Sequence, residues 1–296
     1  MKRWLDHVGV AVRDLDAGRR AFARLGFSLT ERSLHSGALV PGGPVEPWAS
    51  GNHCAMFDAG YLEIIGLTDP DPARFSNVRD LVSRYQGVHI VAIGCDDADR
   101  AAAEFSARGA PIQAPRALER DAAWGSTGHE TRRAKFRNLY VDRDAYPEAR
   151  FLVIEQVTPE VLWQPHLLRH ANTTVAIDAV YFVADDPLPI AVKFAGLFAP
   201  KATVHARGNA MSVPLDRGMI WVTDPASWRS RVPGAFVPPA PAPAGFGVRV
   251  TSLATCREIL RANGVSVHEG MASGPAASLW VAPEDACGAA IQFTQA

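Results

Sequence analysis

Residues 4–12 read WLDHVGVAV, an apolar run of strand length, and residues 16–25 that follow carry apolar positions at helical spacing. The same order returns 82 positions later, as GVHIVAIG at 87–94 and then ADRAAAEF at 98–105. His7 falls on His89, Val8 on Ile90 and Asp14 on Asp96. Asp14 and Asp96 are natural helix N-caps, and Gly26 and Gly109 are natural helix ends. Each copy closes on an apolar strand with one carboxylate, GYLEII with Glu63 and FLVIEQV with Glu155. Further strands are predicted between, at 52–57 and 133–141.

Weaker echoes follow at 177–223 and 245–295, so the pattern predicts four copies of a βαβββ unit. The fold class expected is α+β, with the four modules forming two paired-module domains. The first domain is expected over 1–162, with modules 4–67 and 87–157. A polar connector over 163–174 leads to a second, degenerate domain over 175–296, with modules 175–224 and 245–296. The Pro/Ala stretch from Val237 to Gly245 reads as a stiff surface linker, because proline suits neither a helix interior nor a central strand.

Side-chain alternation along strands then decides which residues can meet. It puts His7 on one face with Leu5, Gly9 and Ala11, and Glu63 with Tyr61 and Ile65. It puts His89 with Gly87 and Val91, and Glu155 with Val153 and Val157. If two modules pair about a pseudo-twofold axis, His7, Glu63, His89 and Glu155 converge in one concave sheet. A lone carboxylate inside a sheet is costly unless it is paired or metal-bound. Two imidazoles and two carboxylates suit a divalent cation such as Zn, Ni, Mn or Fe. The competing expectation is that the histidines are hydrogen-bonded structural residues and that the glutamates face solvent. His166 and His170, four apart, read as packing or pocket wall. In the second half the four ligand types are gone, with Trp221 at the place of Glu63 and Gln292 at that of Glu155.

Composition narrows the classes. The chain has 296 residues, 48% of them apolar and 21% charged, with a formal net charge of −1. That balance points to neither nucleic acid nor a membrane surface as partner. No apolar run is long enough to span a bilayer, and the first residues lack a signal peptide's apolar core. Four cysteines without paired spacing are read as reduced thiols, and the expected location is cytoplasmic. A dinucleotide loop, a phosphate-binding loop and a nucleophile elbow are all missing from the sequence.

The stretch LDHVGVAVRDLD at 5–16 resembles the opening strand, turn and helix of the vicinal oxygen chelate superfamily. YLEII at 61–65 resembles its closing strand, and residues 4–174 carry the likeness. That superfamily includes glyoxalase I, fosfomycin- and bleomycin-resistance proteins and extradiol dioxygenases. The resemblance implies that His7, Glu63, His89 and Glu155 are metal ligands. It also implies that Glu63 and Glu155 are candidate catalytic bases of a lyase or isomerase, less readily a dioxygenase, acting on a small oxygenated metabolite. Trp48, Asn52, His53, Tyr61 and Arg133 are the expected ligand-binding residues. The alternative it implies is a non-catalytic binder in the manner of bleomycin-resistance proteins, with a pocket lined by Trp48, Tyr61 and Phe57. The expected partner is a small molecule, with a homodimer as a further expected assembly.

Overall fold

A computed structural model describes residues 1–40, 42–232, 236–271 and 277–296. The first module is β1 (Trp4–Val12), α1 (Leu15–Arg24), β2 (Ser33–Ala38), β3 (Val45–Met56) and β4 (Tyr61–Leu67). A short helix α2 (Arg79–Arg84) leads to the second, β5 (Gly87–Gly94), α3 (Ala98–Ser106), β6 (Arg116–Trp124), β7 (Glu130–Tyr140) and β8 (Arg150–Gln156). After α4 (Pro159–Leu162) comes the third, β9 (Thr174–Val183), α5 (Pro187–Phe198), β10 (His205–Arg207), β11 (Ala210–Pro214) and β12 (Met219–Thr223). Helix α6 (Pro225–Arg231) precedes the fourth, β13 (Ala242–Val250), α7 (Leu253–Ala262), β14 (Val267–Met271), β15 (Ala277–Val281) and β16 (Ala290–Gln295). These are four βαβββ modules in two paired sheets of eight strands. The orders are β2-β3-β4-β1-β5-β8-β7-β6 and β10-β11-β12-β9-β13-β16-β15-β14.

Within each pair the first strands of the two modules run antiparallel at the centre, and each lies parallel to the last strand of its own module. The helices start where short polar side chains accept the free N–H groups of the first turn. Asp14 accepts from Ala17 N–H, and Ser252 from Thr255 N–H. In the second module the cap is Asp97, one residue beyond the expected Asp96, and it accepts from Arg100 N–H. Val8, Val10 and Val12 face the helices in one continuous core that also takes in Phe182 and Phe293 of the other sheet and Phe194 of α5. Phe151 and Phe182 stack across it at 5.8 Å.

Two single-residue irregularities reset the strand alternation. In β1 the register against β5 jumps between Leu5 and His7, leaving Asp6 as the extra residue. Leu5 therefore joins the helix-side core rather than sharing a face with His7. A second jump, from Gly9 opposite Ile90 to Val10 opposite Val88, leaves His89 as the extra residue of β5. Gly9 is small because β5 crosses close above it: a Cβ there would lie 2.8 Å from Ile90 Cβ.

The Pro/Ala linker behaves differently from the expectation of a surface spacer. Pro238 is buried, and Val237 and Ala240 pack onto the concave face of the second sheet. Strand β13 begins inside the linker, with Pro243 at a register shift where its missing N–H leaves no gap in the ladder. All four cysteines are free thiols. No helix of the described residues is long and apolar enough to cross a membrane.

Candidate functional site

The concave face of the first sheet is built from alternate residues of its central strands. β1 contributes His7, Gly9 and Ala11; β4 contributes Tyr61, Glu63 and Ile65; β3 contributes Asn52, Cys54 and Met56. The segment between the two modules crosses this face, and Val78, Leu81 and Val82 seal its centre against Ile65, Ile90, Leu152 and Ile154. One side stays open. There a cavity of about 500 Å³ lies between Cys54 and Met56 on the floor, Val161, Leu162 and Leu167 on one wall, and the β6 edge with Arg120 on the other. Its volume is in the range of small-ligand sites, and its lining is mixed, with Glu31, Arg32, Asp121 and Gln164 beside the apolar floor and wall.

A polar cluster borders the sealed centre. Asn52 Nδ2 donates to Glu63 Oε1 at 2.6 Å. Ser50 Oγ donates to Asn77 Oδ1 at 3.0 Å and lies 3.1 Å from His35 Nδ1. Arg150 Nη2 donates to the Asn77 carbonyl at 2.8 Å. Burial lowers the pKa of His35 and Arg150, with the Glu63 charge opposing it in both. Burial, with Glu63 second, pushes the Cys54 thiol up to about 12, so Cys54 is a protonated lining residue rather than a nucleophile. Tyr61 is likewise raised, first by burial and then by Asp6. Arg120 makes no hydrogen bond or ion pair with any described residue, yet its charge acts on His35, Cys54 and Tyr61.

The residues expected from the sequence separate into three groups. Asn52, Tyr61 and Glu63 reach the concave face, and Trp48 lies at its rim, its Nε1 donating to the Gly37 carbonyl and its ring against Phe75. His53 and Arg133 do not. His53 is the odd neighbour of Asn52 and Cys54 and points to the other side, where its Nδ1–H donates to the Thr30 carbonyl at 2.8 Å. Arg133 neighbours the concave Ala134 and so faces outward, paired with Glu119 and Asp121. Phe57 is buried in the helix-side core and does not line this cavity. His166 is on the cavity wall. His170 packs behind it, accepting from Ser28 N–H and donating to the Met56 carbonyl.

The proposed metal quartet is not assembled. His7 is on the concave face, stacked on Tyr61 at 4.3 Å, with Nδ1–H given to Asp6 at 2.8 Å. His89, displaced by the bulge, stacks on Tyr85 at 4.0 Å and donates from Nε2 to the Tyr85 carbonyl. Burial depresses its pKa to about 4, which keeps it neutral. Glu155 alternates with Leu152, Ile154 and Gln156 and so lies on the helix side, where Oε2 accepts from Ala98 N–H at the start of α3. The concave partners of Ile90 and Ala92 are Arg150 and Leu152, so the second module has no carboxylate at the place of Glu63. Among the described residues no three His, Cys, Asp or Glu side chains gather within reach of one ion. These residues do not fit a four-ligand Zn, Ni, Mn or Fe site.

With the site described, comparison with known proteins places the chain. A family model described as a glyoxalase-like domain matches residues 5–198. The chain belongs to this glyoxalase-like family. Its two-sheet fold of paired βαβββ modules is that of the vicinal oxygen chelate superfamily. A hypothetical protein from Staphylococcus aureus superposes with a TM-score of 0.61 at 13% identity, over 99% of this glyoxalase-like chain and 100% of the other. A mutant of 4-hydroxymandelate synthase from Streptomyces coelicolor gives 0.58 at 13% identity, over 99% and 92%. A catechol 2,3-dioxygenase gives 0.54 at 11% identity, over 100% and 89%. At these identities the likeness is one of fold. No curated protein matches the glyoxalase-like chain.

Proposed function

We propose that this glyoxalase-like protein binds a small organic molecule with an apolar body and one anionic group in the N-terminal cup. The observation that carries this reading is the cavity of about 500 Å³, which sets an apolar floor and wall beside the unpartnered guanidinium of Arg120. The apolar body rests on Met56, Val161, Leu162 and Leu167, and Arg120 receives the anion. A charge-assisted contact of this kind is worth about 1.5–3 kcal/mol. Titration with 1-anilinonaphthalene-8-sulfonate, an apolar anion, tests it by fluorescence. Met56→Trp, which fills the cavity, is expected to abolish the signal, and Arg120→Gln to weaken binding about tenfold. Binding that neither substitution changes would overturn the reading.

A second reading is proton transfer by Glu63, which pairs with Cys54 of the cavity floor across β3 and β4, is half-buried on the concave face and is fixed by Asn52. Deuterium exchange beside the carbonyl of a bound oxo acid, followed by NMR and lost in Glu63→Gln while binding persists, distinguishes an enzyme from a binder. Equal exchange in Glu63→Gln excludes this role.

A further inference from the structure

A second cavity, of about 400 Å³, lies on the seam between the two sheets and is used by none of the chemistry above. The seam is stitched on both sides. Leu5 N–H donates to the Arg217 carbonyl at 2.9 Å and Asp216 N–H to the Arg3 carbonyl at 2.8 Å. Ile177 N–H donates to the Ala59 carbonyl at 2.9 Å. Gly60 turns the chain here at φ +80, where a Cβ would lie 2.4 Å from the Asp6 carbonyl. The cavity walls are therefore held by backbone from both halves.

Two groups of opposite charge face this space without satisfying one another. Asp6, the bulged residue of β1, is only 2% exposed. Its Oδ1 accepts from His7 Nδ1 at 2.8 Å and from Gln156 Nε2 at 3.1 Å. Its Oδ2 has no donor among the described residues and is not sealed off. Arg217 lines the same cavity with its guanidinium over the Trp4 ring at 5.6 Å. It makes no side-chain hydrogen bond or ion pair among the described residues, and its Nε is buried without an acceptor. Each acts on the other only through space. Trp4 and Trp163 supply the apolar walls, and Asp58 and Asp96 stand exposed at the rim. Glu155, on the far side, is already held by the α3 N-terminus.

We propose that the seam cavity is a second ligand site that takes a small zwitterion of amino-acid type. Its ammonium meets Asp6 Oδ2, its carboxylate meets the Arg217 guanidinium, and its apolar body lies between Trp4 and Trp163. A simple carboxylate would leave Asp6 opposed to it and would meet Asp58 and Asp96 on entry. A simple amine would leave Arg217 unpaired in a half-buried site. Only a ligand carrying both charges meets both orphaned groups.

Calorimetry with L-phenylalanine, phenethylamine and 3-phenylpropanoate as probes tests this on the full chain. The amino acid is expected to bind one to one and at least about tenfold more tightly than either half-analogue. Arg217→Gln should cost the amino acid and 3-phenylpropanoate about tenfold and leave phenethylamine unchanged. Asp6→Asn should cost the amino acid and phenethylamine about tenfold and strengthen 3-phenylpropanoate, with a circular-dichroism melt checking that the buried substitution still folds. Met56→Trp should leave amino-acid binding intact, because it fills the other cavity. The proposal is overturned if none of the probes binds, if Arg217→Gln leaves amino-acid affinity unchanged, or if Met56→Trp removes it.

Discussion

The two concave faces share one architecture and differ in what the chain itself lays across them. In each pair the segment joining the two modules runs over the cup. In the C-terminal pair that segment holds α6, and Trp228, fully buried, fills the cup against Tyr181, Trp280 and Trp221. Tyr181 O–H donates to Gln292 Oε1 at the bottom. In the N-terminal pair the joining segment brings only Val78, Leu81 and Val82, which cover the centre and leave the side beside β6 open. A paired-module sheet needs its concave face covered, and either indole or ligand can do it. The difference between a packed cup and one that keeps an open cavity lies in the side chains of one connecting segment.

The largest effect that sharpens this contrast is expected from Trp228→Ala. Emptying a fully buried indole site costs about 3–5 kcal/mol, read as a drop in the denaturant midpoint. Leu167→Ala, on the open wall of the N-terminal cavity, is expected to cost no more than about 1 kcal/mol in the same assay. Equal losses would mean that the two cups are packed alike.

Acid should act on the N-terminal pair first, because the buried histidines are there. The folded-state pKa of His89 is depressed by burial from 6.5 to about 4. Above pH 6.5 both states are neutral and its contribution is fully present. As pH falls from 6.5 towards 4 the unfolded chain takes up a proton that the folded chain refuses, and stability declines. The decline from this one group is at most about 3 kcal/mol. His35 and His170, also lowered by burial, add to it in the same direction. His89→Gln is therefore expected to flatten part of the pH dependence of the urea midpoint between pH 6.5 and 4. An unchanged slope would contradict the burial of a neutral His89.

A smaller effect is expected from Asn52→Leu, which removes the donor that Glu63 Oε1 uses. Leaving that half-buried carboxylate without its partner costs about 1–3 kcal/mol at neutral pH. In a double-mutant cycle with Glu63→Gln, the loss from Asn52→Leu should shrink once the carboxylate is gone. A loss of equal size in the Glu63→Gln background would assign the effect to packing instead.

The fold was legible in the sequence because apolar runs and helix caps repeat in all four modules, and glycine stops, Gly26, Gly109 and Gly264, in three of them. The site was legible only where alternation runs unbroken. From Tyr61 to Ile65 it does, and Glu63 is where the pattern puts it. In β1 and β5 one extra residue each, Asp6 and His89, resets the count, and such bulges leave no mark in an apolar run. Glu155 matched Glu63 by its place near a strand end, but the facing depends on register: Ile154 pairs with Gly94 and faces the cup, so Glu155 faces the helices. Gly9 does share the face of His7, and its missing side chain admits Ile90. Arg120 was open to the same reasoning, since Leu118, Arg120, Ala122 and Trp124 alternate along β6 with one charge among apolar neighbours.

The central claim is that the N-terminal cup is an organic-ligand site and that the His7, Glu63, His89 and Glu155 side chains do not form a metal centre. Calorimetric titration of metal-stripped protein with Zn, Ni, Mn and Fe(II), in the wild type and in single alanine variants at those four positions, tests it most directly. The account predicts no stoichiometric site whose affinity depends on all four residues, with Glu155→Ala indistinguishable from wild type. One tightly bound equivalent that each of the four variants releases would contradict it.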